Sequence, residues 1–129
     1  METPAELKYA PTHEWLRIDG STATIGITHH AVEQLGDLAF VDFPEPGTTV
    51  ERAQAFGEIE STKTVSELFA PVSGEIVEVH TSLVEELHSI SESPYEAGWM
   101  IKIRMNDPAE VDELLSAADY ETLVAQEEH

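Results

Sequence analysis

Hydrophobic and β-branched residues recur in short segments along most of the chain, and glycine, proline or polar pairs separate the segments. The first two, residues 15–18 and 22–27, flank Asp19-Gly20, a pair that is typical of a tight β-hairpin turn. Repeated short strands with regular breaks predict a mostly β sandwich or barrel. The further predicted strands are residues 38–43, 55–60, 65–69, 75–80 and 99–104.

Two segments depart from this strand pattern and predict helices. Thr28 can cap a short helix over residues 29–35, and Gly36 can end it. After Pro108, which suits the first turn of a helix, apolar residues recur at helical spacing through about residue 126. We therefore expect a short internal helix and a broken C-terminal helical segment that packs on the sheet.

The chain of 129 residues is long enough for one domain with its own hydrophobic core. We expect a single domain over residues 1–129, with a hairpin and helix at 12–36, a β core at about 37–104 and the helical segment at about 108–126. The sequence contains no cysteine, which excludes disulfides and thiolate metal sites.

Charge and hydropathy restrict the partners and the location. No apolar run approaches the ~20 residues that a membrane span needs, and the first residues lack the features of a signal peptide. We expect no membrane attachment and a prokaryotic cytoplasmic location, or the mitochondrial matrix if a transit peptide has been removed.

The net charge is −20 with only six lysines and arginines, so the surface would repel nucleic acid. The acidity fits either solubility or docking to basic partner surfaces.

Lys63 is the most distinctive single residue. It is the sole lysine or arginine between Arg52 and Lys102, a span that contains nine glutamates. It falls in residues 61–64, the turn predicted between two strands, so its amine should project into solvent. An isolated amine on a small turn suits selective covalent modification, whereas an ordinary surface lysine is the simpler alternative.

Four separated segments, in order, resemble the H-protein family of the glycine cleavage system across nearly the whole chain. They are YAPTHEW, GITHHAVEQLGDLAFVDFPEPG, FGEIESTKTVSELFAPVSGEIVEV and SPYEAGWMIKI. The resemblance implies a barrel-sandwich hybrid fold, as in lipoyl and biotinyl carriers, and a carrier rather than an enzyme. It also implies that Lys63 carries lipoate through an amide bond.

The function implied by the resemblance is transport of the aminomethyl group of glycine. The lipoyl arm would receive this group from the pyridoxal-phosphate glycine decarboxylase and present it to the tetrahydrofolate-dependent aminomethyltransferase. Dihydrolipoyl dehydrogenase, an FAD enzyme, would reoxidise the arm, and a lipoate ligase or octanoyltransferase would attach it. A tether keeps a reactive group at high local concentration, and the lipoyl dithiol supplies redox chemistry that a cysteine-free chain lacks.

The resemblance further implies two sets of supporting residues. Enzymes that modify lipoyl carriers read a glutamate three residues before the lysine and a glycine eleven residues after it, which are Glu60 and Gly74 here. The simpler alternatives are a strand-end carboxylate and a turn glycine. The cleft that holds the loaded arm corresponds to Thr12, Glu14 and Glu67, where the family often has serine at 12 and aspartate at 67.

Glu14 could instead be a surface charge of the hairpin. In the docking interpretation, a carboxylate about 4 Å from the ammonium of the arm contributes roughly 1 kcal/mol in water and about 4 kcal/mol at an effective dielectric constant near 20. That range is sufficient to favour docking and still permit release.

The same residues bear on several other functions. A biotin carrier normally has methionines beside the lysine, where this chain has Thr62 and Thr64. A lipoyl domain of an acyltransferase would lack the hairpin at residues 13–15 and the C-terminal helix, and no motif of a stand-alone enzyme is present. A lipoyl relay that donates lipoate to other complexes would use the same lysine, so it stays an alternative.

The histidines do not predict a metal site. His29 and His30 are adjacent on the predicted helix and therefore point about 100° apart, which disfavours a site that combines them with His13. We expect no metal.

Overall fold

The computed structural model describes residues 3–127 and arranges them in nine strands and three short α-helices. The strands are β1 Lys8–Tyr9, β2 Glu14–Asp19, β3 Thr22–Ile27, β4 Leu38–Asp42, β5 Thr49–Val50, β6 Ala55–Ser61, β7 Val65–Phe69, β8 Gly74–Val79 and β9 Ile101–Met105. The helices are α1 His29–Leu35, α2 His88–Glu92 and α3 Ala117–Glu127, and 3₁₀ turns lie at Thr81–Val84 and Pro108–Glu113.

The strands form two antiparallel sheets. The larger sheet has the order β1-β2-β3-β9-β8-β5, and the smaller sheet has the order β4-β6-β7. The main hydrophobic core takes residues from both sheets, for example Ile25 and Ile103 from the larger one and Val41, Ile59 and Leu68 from the smaller one. This architecture confirms the prediction of a mostly β protein.

A second, aromatic cluster attaches the C-terminal helix to the β1-β2 edge. Tyr120 of α3 stacks on Tyr9 with ring centroids 4.8 Å apart, and Trp15 and Tyr95 are buried in the same cluster. Leu115, just before the helix, exchanges backbone hydrogen bonds with Tyr9. The end of the chain is therefore held against its beginning.

The predicted helix boundaries are confirmed at α1. The Thr28 hydroxyl accepts a hydrogen bond from the Ala31 backbone N–H, and Gly36 ends the helix with a φ of 77°. The C-terminal segment is broken as expected, because a 3₁₀ turn precedes α3. No helix among residues 3–127 is long and apolar enough to cross a membrane.

Four elements were not predicted: β1, β5, α2 and the 3₁₀ turn at Thr81–Val84. β1 and β5 have two residues each, and α2 has five, so none is long enough to show a periodic pattern. The two short strands are held by hydrogen bonds to longer ones: β1 pairs with β2, and β5 pairs with β8. The last strand also begins at Ile101 rather than at Trp99, whose ring stacks on His80.

Candidate functional site

The β6-β7 hairpin presents Lys63 at its tip, as predicted. The two strands pair from Ala55 opposite Phe69 to Glu60 opposite Val65. Beyond that pair, the Ser61 backbone N–H donates to the Thr64 carbonyl at 2.8 Å. The Ser61 hydroxyl oxygen accepts from the backbone N–H groups of Lys63 and Thr64 at 3.2 and 3.1 Å. These bonds fix the backbone of the tip while the Lys63 side chain stays exposed.

The loop between α1 and β4 supports the tip from outside the hairpin. The Thr62 backbone N–H donates to the Asp37 carbonyl at 3.0 Å. The Lys63 side chain passes close to Gly36, where an added Cβ would lie 3.3 Å from Cε and 3.5 Å from Nζ. Gly36 thus ends a helix and also leaves room for the lysine stem, a contact that the sequence pattern did not reveal.

Glu60 and Gly74 lie in different environments. Glu60 is exposed in β6, opposite Val65 on one side and Phe40 on the other, so it borders the tip that carries Lys63. Gly74 is buried at the start of β8 in the larger sheet. A Cβ there would collide with the Arg104 carbonyl of β9 and would approach the side chain of Ile103 to 2.7 Å. The close packing of β8 on β9 therefore requires a glycine at position 74, apart from the offset of this residue from Lys63.

The three residues expected to dock the arm line one cavity. Thr12, Glu14 and Glu67 surround a pocket of about 230 Å³, together with Thr64, the residue after Lys63. Apolar side chains of both sheets and α1 complete its wall: Ile27, Ala31, Leu35, Ile59 and Leu68. The structure therefore brings the Thr12–Glu14 segment and the lysine hairpin to the same cleft.

Glu14 is the buried charged group of this pocket. Its residue is only 2 % exposed, so the interpretation of Glu14 as a surface charge is wrong. The carboxylate accepts hydrogen bonds from the Thr12 hydroxyl and from the Phe69 backbone N–H, the latter at 3.2 Å. Burial raises the pKa of Glu14 to about 7, although both hydrogen bonds act in the opposite direction.

No lysine, arginine or histidine within residues 3–127 forms an ion pair with Glu14. Thr12 and Glu67 are exposed and stand at the entrance of the pocket. The site therefore offers one buried carboxylate with two fixed donors, one exposed carboxylate and an apolar wall, which suits a slender chain that ends in a cationic group.

A group of histidines lies beside this pocket. His13 borders the cavity, and its ring lies 4.8 Å from the ring of His30, measured between centroids. Its Nε2 atom is 3.0 Å from a carboxylate oxygen of Glu127 at the end of α3. His29 points elsewhere and lies 3.4 Å from Glu33. Sequence reasoning considered the histidines but missed Glu127, because a glutamate in an acidic tail carries no local signal.

Comparison with known proteins gives a consistent result over nearly the whole chain. The profile of the family described as Glycine cleavage H-protein matches residues 7–127. The glycine cleavage system H protein of Staphylococcus carnosus is 47% identical over 126 residues, which cover 98% of this chain and 100% of that protein. The corresponding protein of Geobacillus kaustophilus is 48% identical over 124 residues, which cover 96% of this chain and 98% of that protein.

A solved structure shows the same likeness in three dimensions. The crystal structure of a glycine cleavage system H protein from Mycobacterium marinum superposes with a TM-score of 0.87 at 44% identity. The match covers 95% of this chain and 98% of that one. Together with the two sheets, the short internal helix and the C-terminal helix of this chain, it confirms the predicted fold class.

Proposed function

The chain belongs to the glycine cleavage H-protein family, and on this premise we propose that it is a lipoyl carrier whose arm is attached to Lys63. The observation that carries the proposal is the placement of an exposed lysine at a fixed hairpin tip, next to a pocket with a buried carboxylate. In this role the arm takes the aminomethyl group of glycine from the pyridoxal-phosphate decarboxylase to the tetrahydrofolate-dependent aminomethyltransferase. Dihydrolipoyl dehydrogenase reoxidises the arm.

The residues around Lys63 fit an amide-linked lipoyl group. The Nζ atom would form the amide with the lipoyl carboxyl group, and the dithiolane of lipoate would supply disulfide and thiol chemistry that this chain does not contain. Ser61 holds the backbone of the tip through its hydroxyl oxygen, and the small side chains of Thr62 and Thr64 leave the lysine accessible. A lipoate ligase or octanoyltransferase could therefore reach Nζ without unfolding the hairpin.

The pocket gives the chain a way to hold a cationic group. Glu14 is fixed by the Thr12 hydroxyl and the Phe69 N–H, so its carboxylate needs no reorganisation to face an ammonium. An ammonium about 4 Å away would contribute about 4 kcal/mol at an effective dielectric constant near 20. Glu67 and Thr12 at the entrance would orient the approaching group, and the apolar wall would exclude water.

Glu60 and Gly74 support modification in two different ways. We assign Glu60 to direct recognition by the lipoylating enzyme, because it is exposed on the strand that leads to Lys63. Gly74 would act indirectly, since it is buried in the other sheet and allows β8 to approach β9.

The first test of the proposal is the site of modification. The chain, expressed with an intact lipoylation system, should show one lipoyl adduct by intact-mass analysis, and peptide sequencing should place it on Lys63. Lys63→Arg should abolish the adduct while the circular dichroism spectrum and Tm stay unchanged. Lys8→Arg is the matched control and should keep the adduct. A biotin adduct, or lipoylation at Lys8 or Lys102, would refute the assignment.

The second test is the reaction supported by the lipoylated protein. In a reconstituted mixture of the three partner enzymes, wild-type protein should support glycine-dependent formation of methylene-tetrahydrofolate, and Lys63→Arg should not. Lipoate transfer to another complex without this activity would instead indicate the relay function.

A further inference from the structure

Two histidines and one glutamate converge from three distant parts of the sequence. His13 lies in the loop before β2, His30 on α1 and Glu127 at the end of α3. The His13 Nε2 atom lies 3.0 Å, and the His30 Nε2 atom 3.9 Å, from the same Oε1 atom of Glu127. One ligand atom from each residue lies within 4.8 Å of the other two.

We propose that His13, His30 and Glu127 form a binding site for a divalent transition-metal ion of the zinc class. Two imidazole nitrogens and one carboxylate oxygen are a ligand set that zinc accepts, with water in the fourth position. Bond lengths of about 2.0–2.1 Å in a tetrahedron place the ligand atoms about 3.3 Å apart. The observed separations therefore bracket the required spacing, and small rotations of the three side chains would close the site.

The surroundings of His13 suit a metal ligand. Its Nδ1 atom lies 2.7 Å from the Tyr120 hydroxyl, which in turn lies 2.6 Å from the Thr28 hydroxyl oxygen. In the metal-free chain Nε2–H donates to the Glu127 carboxylate. When a metal ion replaces that proton, Nδ1–H can donate to Tyr120 and Tyr120 to Thr28, which leaves the lone pair of Nε2 for the ion. Such outer hydrogen bonds orient metal-binding histidines and select their tautomer.

Backbone conformation and burial support the same arrangement. His13 adopts a φ of 76°, in a region that few residues other than glycine occupy, and its ring reaches Glu127 at the end of α3. His30 is only 4 % exposed, so its ring is held by packing, while the exposed Glu127 leaves the fourth position open to water.

The consequence is a metal-dependent attachment of α3. A metal at this site would link the loop before β2, α1 and the last turn of the C-terminal helix, next to the stacked pair Tyr9 and Tyr120. Because the metal would bind only the folded arrangement, it should stabilise the folded state by mass action.

Zinc binding by the full-length chain without a polyhistidine tag tests the proposal. Isothermal titration with ZnCl₂ after treatment with EDTA should show one ion per chain and a zinc-dependent rise in Tm. Glu127→Gln alters an exposed residue and should leave the metal-free Tm unchanged. It should weaken zinc binding by at least about tenfold, the lower end of the effect seen even for outer-shell partners. Equal zinc affinity in wild type and Glu127→Gln would overturn the proposal.

The other histidine and glutamate pair on α1 provides the matched control. His29→Asn combined with Glu33→Gln removes an i,i+4 pair with atoms 3.4 Å apart that does not belong to the cluster. This double variant should bind zinc as wild type does, and loss of binding would assign the ion to that surface pair instead.

Two variants separate a ligand from a merely structural residue. His13→Asn retains a residue that tolerates positive φ, so it should fold and lose zinc binding. Tyr120→Phe keeps the stacked ring and removes only the hydroxyl, so it should weaken zinc binding by about tenfold or more through the orientation of His13. Unchanged zinc affinity in His13→Asn would refute its role as a ligand.

Discussion

At the scale of single residues, Glu14 has the largest energetic consequence in the pocket. Its carboxyl group is almost fully buried and accepts two hydrogen bonds, yet no basic side chain among residues 3–127 forms an ion pair with it. Ionising such a group costs stability unless a cation arrives. This cost favours the binding of a cationic ligand, because the cation stabilises the buried negative charge of Glu14.

The raised pKa of Glu14 predicts a specific dependence of stability on pH. Its pKa in the folded protein is about 7, compared with 4.5 for an unperturbed glutamate. Between these pH values the folded state holds a proton that the unfolded chain releases, so the free energy of unfolding falls as the pH rises. At 1.36 kcal/mol for each pH unit, the loss reaches about 3 kcal/mol by pH 8.

Replacing Glu14 by glutamine should remove this pH dependence. Urea denaturation in EDTA-containing buffer at pH 5 and pH 8 should show that Glu14→Gln gains stability relative to wild type at the higher pH, by up to about 3 kcal/mol. Glu67→Gln removes an exposed carboxylate of the same pocket and should show a far smaller difference. Parallel behaviour of wild type and Glu14→Gln at both pH values would show that the buried carboxyl group does not titrate in this range.

At the scale of secondary-structure elements, local sequence signals account for the β2-β3 hairpin and α1. Asp19-Gly20, Thr28 and Gly36 mark a turn, a helix start and a helix end through their own backbone preferences, so the sequence alone could predict them. The burial of Glu14 could not be predicted in this way. The pocket brings together segments that are distant in the sequence, and the Phe69 N–H that donates to the Glu14 carboxylate lies 55 residues away.

The cluster of His13, His30 and Glu127 could not be predicted from local sequence either. The angle between adjacent helical residues correctly indicated that His29 and His30 point in different directions. The approach of Glu127 to His13 spans 114 residues and results from the packing of α3 on β1, which no local pattern encodes. Contacts between distant elements were therefore the part of the site that sequence reasoning missed.

Glu60 and Gly74 should respond differently to substitution by alanine. Gly74→Ala places a Cβ against the Arg104 carbonyl of the neighbouring strand, so it should lower the free energy of unfolding by about 1–3 kcal/mol, as overpacking does. Glu60→Ala removes an exposed side chain and should leave Tm unchanged while it slows lipoylation.

Two measurements distinguish the loss of stability in Gly74→Ala from the loss of recognition in Glu60→Ala. They are thermal denaturation and the initial rate of lipoylation at a temperature where both variants are folded. Glu58→Ala, an exposed glutamate two residues earlier in β6, is the matched control and should change neither quantity. Equal lipoylation rates for Glu60→Ala and wild type would show that the enzyme does not read this carboxylate.

At the scale of the whole molecule, the net charge of −20 opposes compaction and also repels anionic partners. The acidic residues outnumber the basic ones by 26 to 6, so lysine and arginine are too few to pair with most of the carboxylates. Salt screens such repulsion, and the Debye length falls from about 30 Å at 0.01 M to about 3 Å at 1 M ionic strength.

Added NaCl should therefore raise the Tm of this protein at neutral pH. Most of the gain should occur at low concentration, because the Debye length already falls to about 10 Å at 0.1 M. Replacing Glu85, Glu86 and Glu92 by glutamine removes three exposed charges between β8 and β9, and this variant should start from a higher Tm and gain less from salt. A Tm that does not respond to NaCl, or an equal response in the variant, would mean that the exposed carboxylates lie too far apart for their repulsion to lower the stability of the fold. The acidity would then have to be explained by docking to basic faces of partner proteins. In that case the association rate with a partner should fall as the NaCl concentration rises.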